Sequence, residues 1–443
     1  MEDIAAIILQ IFILLVFAKA LGGVFEKFHM PKLIGEIIAG LVFINLVLFY
    51  PPFASLINFE AFAPGKLNET TLFSFFHIMG ELGIIFLLFA VGLETRFSDM
   101  KRVGRTASYI AIFGIVIPFA GGMLFLFTHS GLIDFNTALL LGAALFGTST
   151  AVGVECLKNL DAMSTNEAKL IISATIIDDI LCLALLGVII GAIKPDADTA
   201  SIVINAVIVA AFVLFMFFFV SRVKKIAARR SRRMQMKYAT VKGSDDPAEY
   251  APKQMTELSA LGLAVLVCLG LAAFSVNIGL AAIIGAFLAG MIFAEFKDTL
   301  PIEHNFNVII YFMLPFFFIW VGMEVQFDNG MSTEIFLLLC AVLFVAVITK
   351  YAAGYIGGRM GKLSHDSCHL IGVSFIPRGE VGIIVATIGL TSGVFGSDVF
   401  TVIILMALIT SMLTPPLVNH AYRKLEKNRS VAFEEAFKEH DDV

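Results

Sequence analysis

Charge is scarce in this chain of 443 residues: only 15% are Asp, Glu, Lys or Arg, where a soluble protein carries about a quarter. So little charge excludes nucleic-acid binding as a main role. Tryptophan occurs once, and the five cysteines (Cys156, Cys182, Cys268, Cys340, Cys368) are scattered through or beside apolar runs with no C-x-x-C spacing. An odd, dispersed set of thiols is expected to be buried and unpaired rather than a disulfide framework or metal site. No G-x-G-x-x-G follows a strand-like run and no H-E-x-x-H occurs, so a nucleotide-sensing appendage and a membrane metalloprotease are not expected. The chain opens Met1-Glu2-Asp3 and turns apolar at Ile4. It lacks the basic leader and small-residue cleavage site of a signal peptide, so its first helix is expected to stay in the membrane.

What is present points the same way. Hydrophobic residues make up 58%, with 43 phenylalanines and 36 glycines, and the mean hydropathy is +0.90. That is an all-α polytopic membrane protein. A helix needs about 20 apolar residues to cross about 30 Å of hydrocarbon. Thirteen stretches qualify: 4–22, 31–50, 73–95, 105–129, 136–158, 165–193, 200–221, 257–275, 277–296, 305–325, 332–358, 367–393 and 397–421. Lys and Arg gather after odd-numbered spans, most densely from Arg222 to Lys237. The positive-inside rule then places the N-terminus outside and the C-terminus in the cytoplasm of a cell (inner) membrane. Residues 1–422 form the transmembrane domain, 222–256 a basic cytoplasmic linker against lipid headgroups, and 423–443 a short cytoplasmic tail.

Two pairs of segments repeat. Ile34-Gly35 with Ala39-Gly40 in span two lines up with Ile284-Gly285 and Ala289-Gly290 in span nine, and Val91-Gly92-Leu93-Glu94 in span three with Val321-Gly322-Met323-Glu324 in span ten. Both matches pair span n with span n+7. Because seven is odd, the copies cross in opposite senses, which is the inverted-topology repeat of secondary transporters. The repeats cover 31–193 and 277–421, and the same offset pairs span five with span twelve. These two spans are poor helices: one contains Gly147-Thr148-Ser149-Thr150-Ala151-Val152-Gly153, the other Ser374-Phe375-Ile376-Pro377-Arg378-Gly379-Glu380. Interruptions at corresponding positions mark a binding site near the midplane.

Span six carries Asp178-Asp179 at the centre of an apolar helix, where each charge costs about 2.5–3.5 kcal/mol on insertion scales. Neighbouring residues point about 100° apart, so the pair addresses two partners. Lys350, towards the middle of span eleven, is the evident counter-charge, with snorkelling to the interface as the other reading. Arg378 and Glu380 in broken span twelve read as a scaffold pair rather than ion ligands. An aspartate here binds either a proton or a small hard cation through oxygen, and that mutual exclusion is all antiport requires.

Together the Asp178-Asp179 pair, the hydroxyl-rich interruption before it, a lysine in the span before the second interruption and Pro377-Arg378-Gly379-Glu380 resemble the bacterial two-aspartate sodium/proton antiporters of the cation:proton antiporter superfamily, with an NhaA-like fold. The resemblance spans about residues 4–422. It implies a homodimer in which a core (about 105–193 and 332–421) moves as an elevator against a dimerisation scaffold (about 4–95 and 200–325). It implies that Asp179 is the main site of Na+ and H+ competition, with Asp178 the second Na+-binding carboxylate, held by Lys350 until a cation arrives. Thr150 and Ser149 are the implied hydroxyl ligands, and the exchange is electrogenic. No cofactor is implied beyond the transported Na+ and H+. Glu155 departs from the family pattern by adding a charge to the second half of span five.

The alternative is K+/H+ exchange by the same fold, with Li+ also open as a substrate. A cation channel and an inverted-repeat symporter stand further back: the repeat and Lys350 argue against the first, and the second needs neither adjacent aspartates nor Lys350. An intramembrane aspartyl protease would carry its aspartates on different helices, one in a Gly-x-Gly-Asp sequence that this chain lacks.

Overall fold

The computed structural model describes residues 2–28, 30–50, 71–94, 104–129, 135–149, 152–153, 156–157, 160–193, 257–277, 282–296, 302–326 and 332–441, with isolated positions 204, 207, 211 and 222. Thr150, Glu155, most of span seven and the basic linker beyond Arg222 lie outside the described residues, as do the side chains of Glu94 and Glu380. The described residues are all-helical: α1 (Glu2–Lys27), α2 (Lys32–Phe49), α3 (Thr71–Glu94), α4 (Arg105–His129), α5 (Phe135–Phe146), α6 (Asn166–Ala192), α7 (Glu257–Asn277), α8 (Ala282–Ala294), α9 (Ile302–Met323), α10 (Thr333–Met360), α11 (His365–Ser374), α12 (Glu380–Thr391) and α13 (Ser397–Asp441).

Nine of these helices are long and apolar enough to cross a membrane, and α5, α8 and the Val381–Thr391 part of α12 are shorter apolar helices. Thirteen helices are thus not the thirteen expected spans taken one by one. Span twelve is split into α11 and α12, and span five holds helix α5 as far as Phe146 and then an irregular stretch, 147–149. Helix α13 runs past residue 422 to Asp441, so the expected tail, 423–443, continues the last helix as far as that residue.

The chain divides into two compact units: Met1–Glu81 with Arg102–Ile189 and Pro315–Val443, and Leu82–Lys101 with Ile190–Leu314. Within the first, Gly40 of α2 meets Gly322 of α9 so closely that a Cβ on Gly40 would land on the Ile319 carbonyl, and one on Gly322 on the Ile37 carbonyl. Within the second, Gly290 of α8 and Gly92 of α3 do the same, against the carbonyls of Phe89 and Phe287. These are the four glycines the internal repeat aligns: Gly40 with Gly290, and Gly92 with Gly322. The repeated sequence therefore builds the same backbone-to-backbone crossing twice, where only a residue without a side chain fits.

α10 shows how a helix hides a charge in a bilayer. Leu337, Phe344 and Ile348 form an exposed apolar stripe, while Leu339, Val342, Ala346, Lys350 and Ala353 recur on the buried face. The i+3/i+4 spacing keeps the two sets apart. Ser332 caps the start, its hydroxyl accepting from the Ile335 N–H at 3.2 Å. Of the cysteines, all free, four are buried and Cys340 is exposed on α10, a correction to the expected burial of every thiol. A thiol is apolar enough to stand on a lipid-facing surface.

Candidate functional site

The two interruptions meet in the first unit. The Ser149 backbone N–H donates to the Pro377 carbonyl at 2.9 Å, and a Cβ on Gly379 would stand 2.5 Å from that of Ser149. The break in the second crossing segment runs from Phe375 to Gly379. It follows from composition: Pro377 cannot donate to a helical carbonyl, and Gly379 accommodates the close approach. α13 holds the break from behind, with the Arg378 N–H donating to Thr410 Oγ1 at 3.2 Å and the Ser411 hydroxyl donating to the Arg378 carbonyl at 2.8 Å.

Arg378 is fully buried, and its guanidinium bridges two elements. It donates to the Ala346 carbonyl of α10 at 2.8 Å and to the Gly147 carbonyl, just past the end of α5, at 3.4 Å. The Gly147 carbonyl lies where a helix end carries partial negative charge, so a cation placed there is stabilising, whereas Ala346 lies inside α10 and its carbonyl accepts the guanidinium with a second lone pair. Arg378 thus ties the broken segment to α10 and to the end of α5 through backbone carbonyls. The expected Glu380 side of a pair lies outside the described side chains.

Lys350 does not snorkel: it and Asp178 have no exposed side-chain surface. The direct contact between Lys350 Nζ and Asp178 Oδ2 is 3.5 Å, yet both groups bond more closely to Thr148. Lys350 Nζ donates to Thr148 Oγ1 at 2.6 Å, and that hydroxyl donates to Asp178 Oδ2 at 2.7 Å. An ammonium gives, a hydroxyl passes on and one carboxylate oxygen accepts, so the relay links all three groups by charge-assisted hydrogen bonds. Phe375 closes one side, its ring centroid 5.8 Å from Lys350 Nζ.

Asp179, the neighbouring residue on α6, is buried with 8% exposure. Ser149 is buried and its Oγ has no hydrogen-bond partner among the described residues, which leaves it able to ligate. Thr150, expected as the hydroxyl ligand, lies outside the described residues. Sequence reasoning passed over Thr148, the residue that joins lysine to aspartate. Its signal was its position as the first hydroxyl of the interruption.

A fold with this site has known counterparts. The sequence matches the family described as "Sodium/hydrogen exchanger, transmembrane" over residues 12–420. The chain belongs to the sodium/hydrogen exchanger family. Its class of activity is therefore cation/proton antiport across a membrane, and the relatives of this exchanger are named as transporters, not enzymes. It is 28% identical to the Na(+)/H(+)-K(+) antiporter GerN of Bacillus cereus, over 94% of this chain and 97% of that one. It is 26% identical to a Na(+)/H(+) antiporter of Enterococcus hirae (94% and 98% covered) and 26% identical to the K(+)/H(+) antiporter subunit KhtU of Bacillus subtilis (89% and 92% covered). The solved structure of the sodium proton antiporter MjNhaP1 from Methanocaldococcus jannaschii shares the fold, with a TM-score of 0.68 at 17% identity over 96% of this exchanger and 99% of that chain. The fold match is thus to an NhaP1-type antiporter, whereas the sequence resemblance pointed to NhaA.

Proposed function

We propose that this exchanger moves Na+ in one direction and H+ in the other through the Asp178-Asp179 site. The observation that carries this is the buried Lys350–Thr148–Asp178 relay at the crossing of the two interrupted segments. Asp178 is occupied by an internal cation and a hydroxyl, while Asp179 lies on the adjoining face of the same helix. Asp179 is then the carboxylate at which proton and cation exclude one another. Asp178 accepts the cation as a second ligand when Lys350 withdraws, and Ser149 and Thr150 add hydroxyl oxygens.

Two carboxylates and one lysine that trades places with the cargo make the exchange electrogenic. Alternating access proceeds by elevator motion of the core segments against the scaffold in a homodimer. The protein works in the cell membrane with its N-terminus outside and its C-terminus in the cytoplasm, as the basic loops indicate. K+ in place of Na+ is the second reading, favoured by the names of two relatives that specify K(+).

The test is transport in proteoliposomes containing a pH dye. Added Na+ should dissipate an imposed pH gradient, and Asp179→Asn should abolish the response in a protein that still folds. A response that survives this substitution rejects the site. Electrically silent exchange on a solid-supported membrane rejects the electrogenic assignment.

A further inference from the structure

The relay satisfies one oxygen of Asp178 and leaves the other. Asp178 Oδ1 is buried and has no hydrogen-bond partner among the described residues. An unpaired carboxylate oxygen inside a membrane protein is costly unless something binds it. α4 passes in front of this oxygen at Gly114. A side chain there would place its Cβ 3.2 Å from Asp178 Oδ1, 3.7 Å from the Phe375 ring and 3.8 Å from Lys350 Nζ. Because residue 114 is glycine, no side chain fills the position beside Oδ1.

The same turn of α4 frees a second oxygen. Pro118 lies inside the helix, four residues after Gly114, and proline has no N–H to donate to the i−4 carbonyl. The Gly114 carbonyl is thereby relieved of its ordinary helical partner. Residues i and i+4 share a helix face, and a carbonyl points from its own residue towards the next turn, so this oxygen belongs to the face that Gly114 turns to Asp178. Carbonyls released from helical bonding are what transporters use, with carboxylates and hydroxyls, to bind small hard cations.

We propose that Gly114 is a binding and selectivity residue for the transported monovalent cation: its carbonyl is a ligand beside Asp178 Oδ1, and its missing side chain sets the size of ion that fits. The proposal rests on the antiport reading above. A methyl group at 114 narrows the space and disfavours the larger ions. Pro118→Ala adds no bulk beside Asp178 and restores the N–H that withdraws the carbonyl.

The experiment measures initial rates of cation-driven proton flux for Li+, Na+ and K+ in proteoliposomes of the full-length protein. Gly114→Ala should raise the ratio of apparent KM for K+ over that for Li+ by about tenfold, the scale on which one methyl group discriminates in a fitted site. Pro118→Ala should raise the apparent KM for all three ions while thermal stability stays at or above that of the wild type, since alanine suits a helix interior better. Equal changes for all three ions in Gly114→Ala, or an unchanged KM in Pro118→Ala, overturn the assignment. If the added methyl prevents folding, Pro118→Ala alone decides. A wild-type protein with no cation-driven flux refutes the antiport reading itself. Flux that Asp179→Asn abolishes, with Gly114→Ala and Pro118→Ala behaving as wild type, refutes only the role of Gly114.

Discussion

Thr148→Val removes the hydroxyl that joins Lys350 to Asp178 while keeping nearly the same shape. It deletes one hydrogen bond from the ammonium, at 2.6 Å, and one to the carboxylate, at 2.7 Å. At about 1.5–3 kcal/mol for each bond to a charged group, the loss is about 3–6 kcal/mol. Lys350 can recover part of it by closing directly on Asp178 from the present 3.5 Å. Moving to about 2.8 Å returns about 1 kcal/mol at an effective dielectric constant of about 20. The net cost to the relay is then at least about 2 kcal/mol, or about thirtyfold in an equilibrium constant.

In the mechanism proposed above this cost falls on the cation-free protein, because the arriving cation displaces Lys350 and breaks the relay. Thr148→Val should therefore lower thermal stability more in Na+-free buffer than in saturating Na+, and the apparent KM for Na+ should fall by about thirtyfold or more. Thr148→Ser, which keeps the hydroxyl, should behave close to the wild type. Melting curves with and without Na+, with flux measured in proteoliposomes, give both quantities. An equal loss of stability in both buffers, or a rise in KM, refutes the idea that the relay competes with the cation.

Two other predictions concern the supports of the site. Gly379→Ala places a Cβ 2.5 Å from that of Ser149, against an ordinary carbon–carbon separation of about 3.5–4.0 Å, so the crossing must open by about 1 Å. The expected cost is about 1–3 kcal/mol, with transport lost alongside stability; wild-type melting and flux would show that the crossing yields freely. At the start of α6, Glu167 is buried and accepts from Arg429 of α13 at 2.6 Å and from Ser367 of α11 at 2.7 Å. Arg429→Met should lower stability by about 1 kcal/mol, because it leaves a buried carboxylate short of a donor. Adding Glu167→Gln should recover most of that loss in a double-mutant cycle, and a strictly additive pair would show that the two residues are not coupled.

The helical part of this protein was legible because helices have a period. Apolar runs of membrane length, the aligned glycines at 40, 92, 290 and 322, and charges at mid-helix all have positions that spacing interprets. Asp178 and Lys350 were paired from sequence on the ground that buried charges need partners, and the structure places them together. The interruptions were legible as interruptions, from Gly147 and from Pro377 with Gly379, but not in their detail. An irregular backbone has no period to say which of Thr148, Ser149 and Thr150 points at which group, and the hydroxyl that bridges lysine to aspartate was therefore missed. Arg378 illustrates the same limit. Its guanidinium reaches the carbonyls of residues 147 and 346, far away in sequence, which only the folded chain brings within reach. Gly114 was overlooked because a single glycine in an apolar helix has no pattern; only the carboxylate facing it gives it meaning.

The paired glycine crossings bear on how any motion is distributed. Where helices meet through side chains, rotamer changes let one slide on the other, and the contact works like a bearing. α2 and α9 meet backbone on backbone, and so do α3 and α8, which leaves no rotamers to give way. Each crossing lacks that slack, so any displacement of one helix bears directly on the backbone of the other.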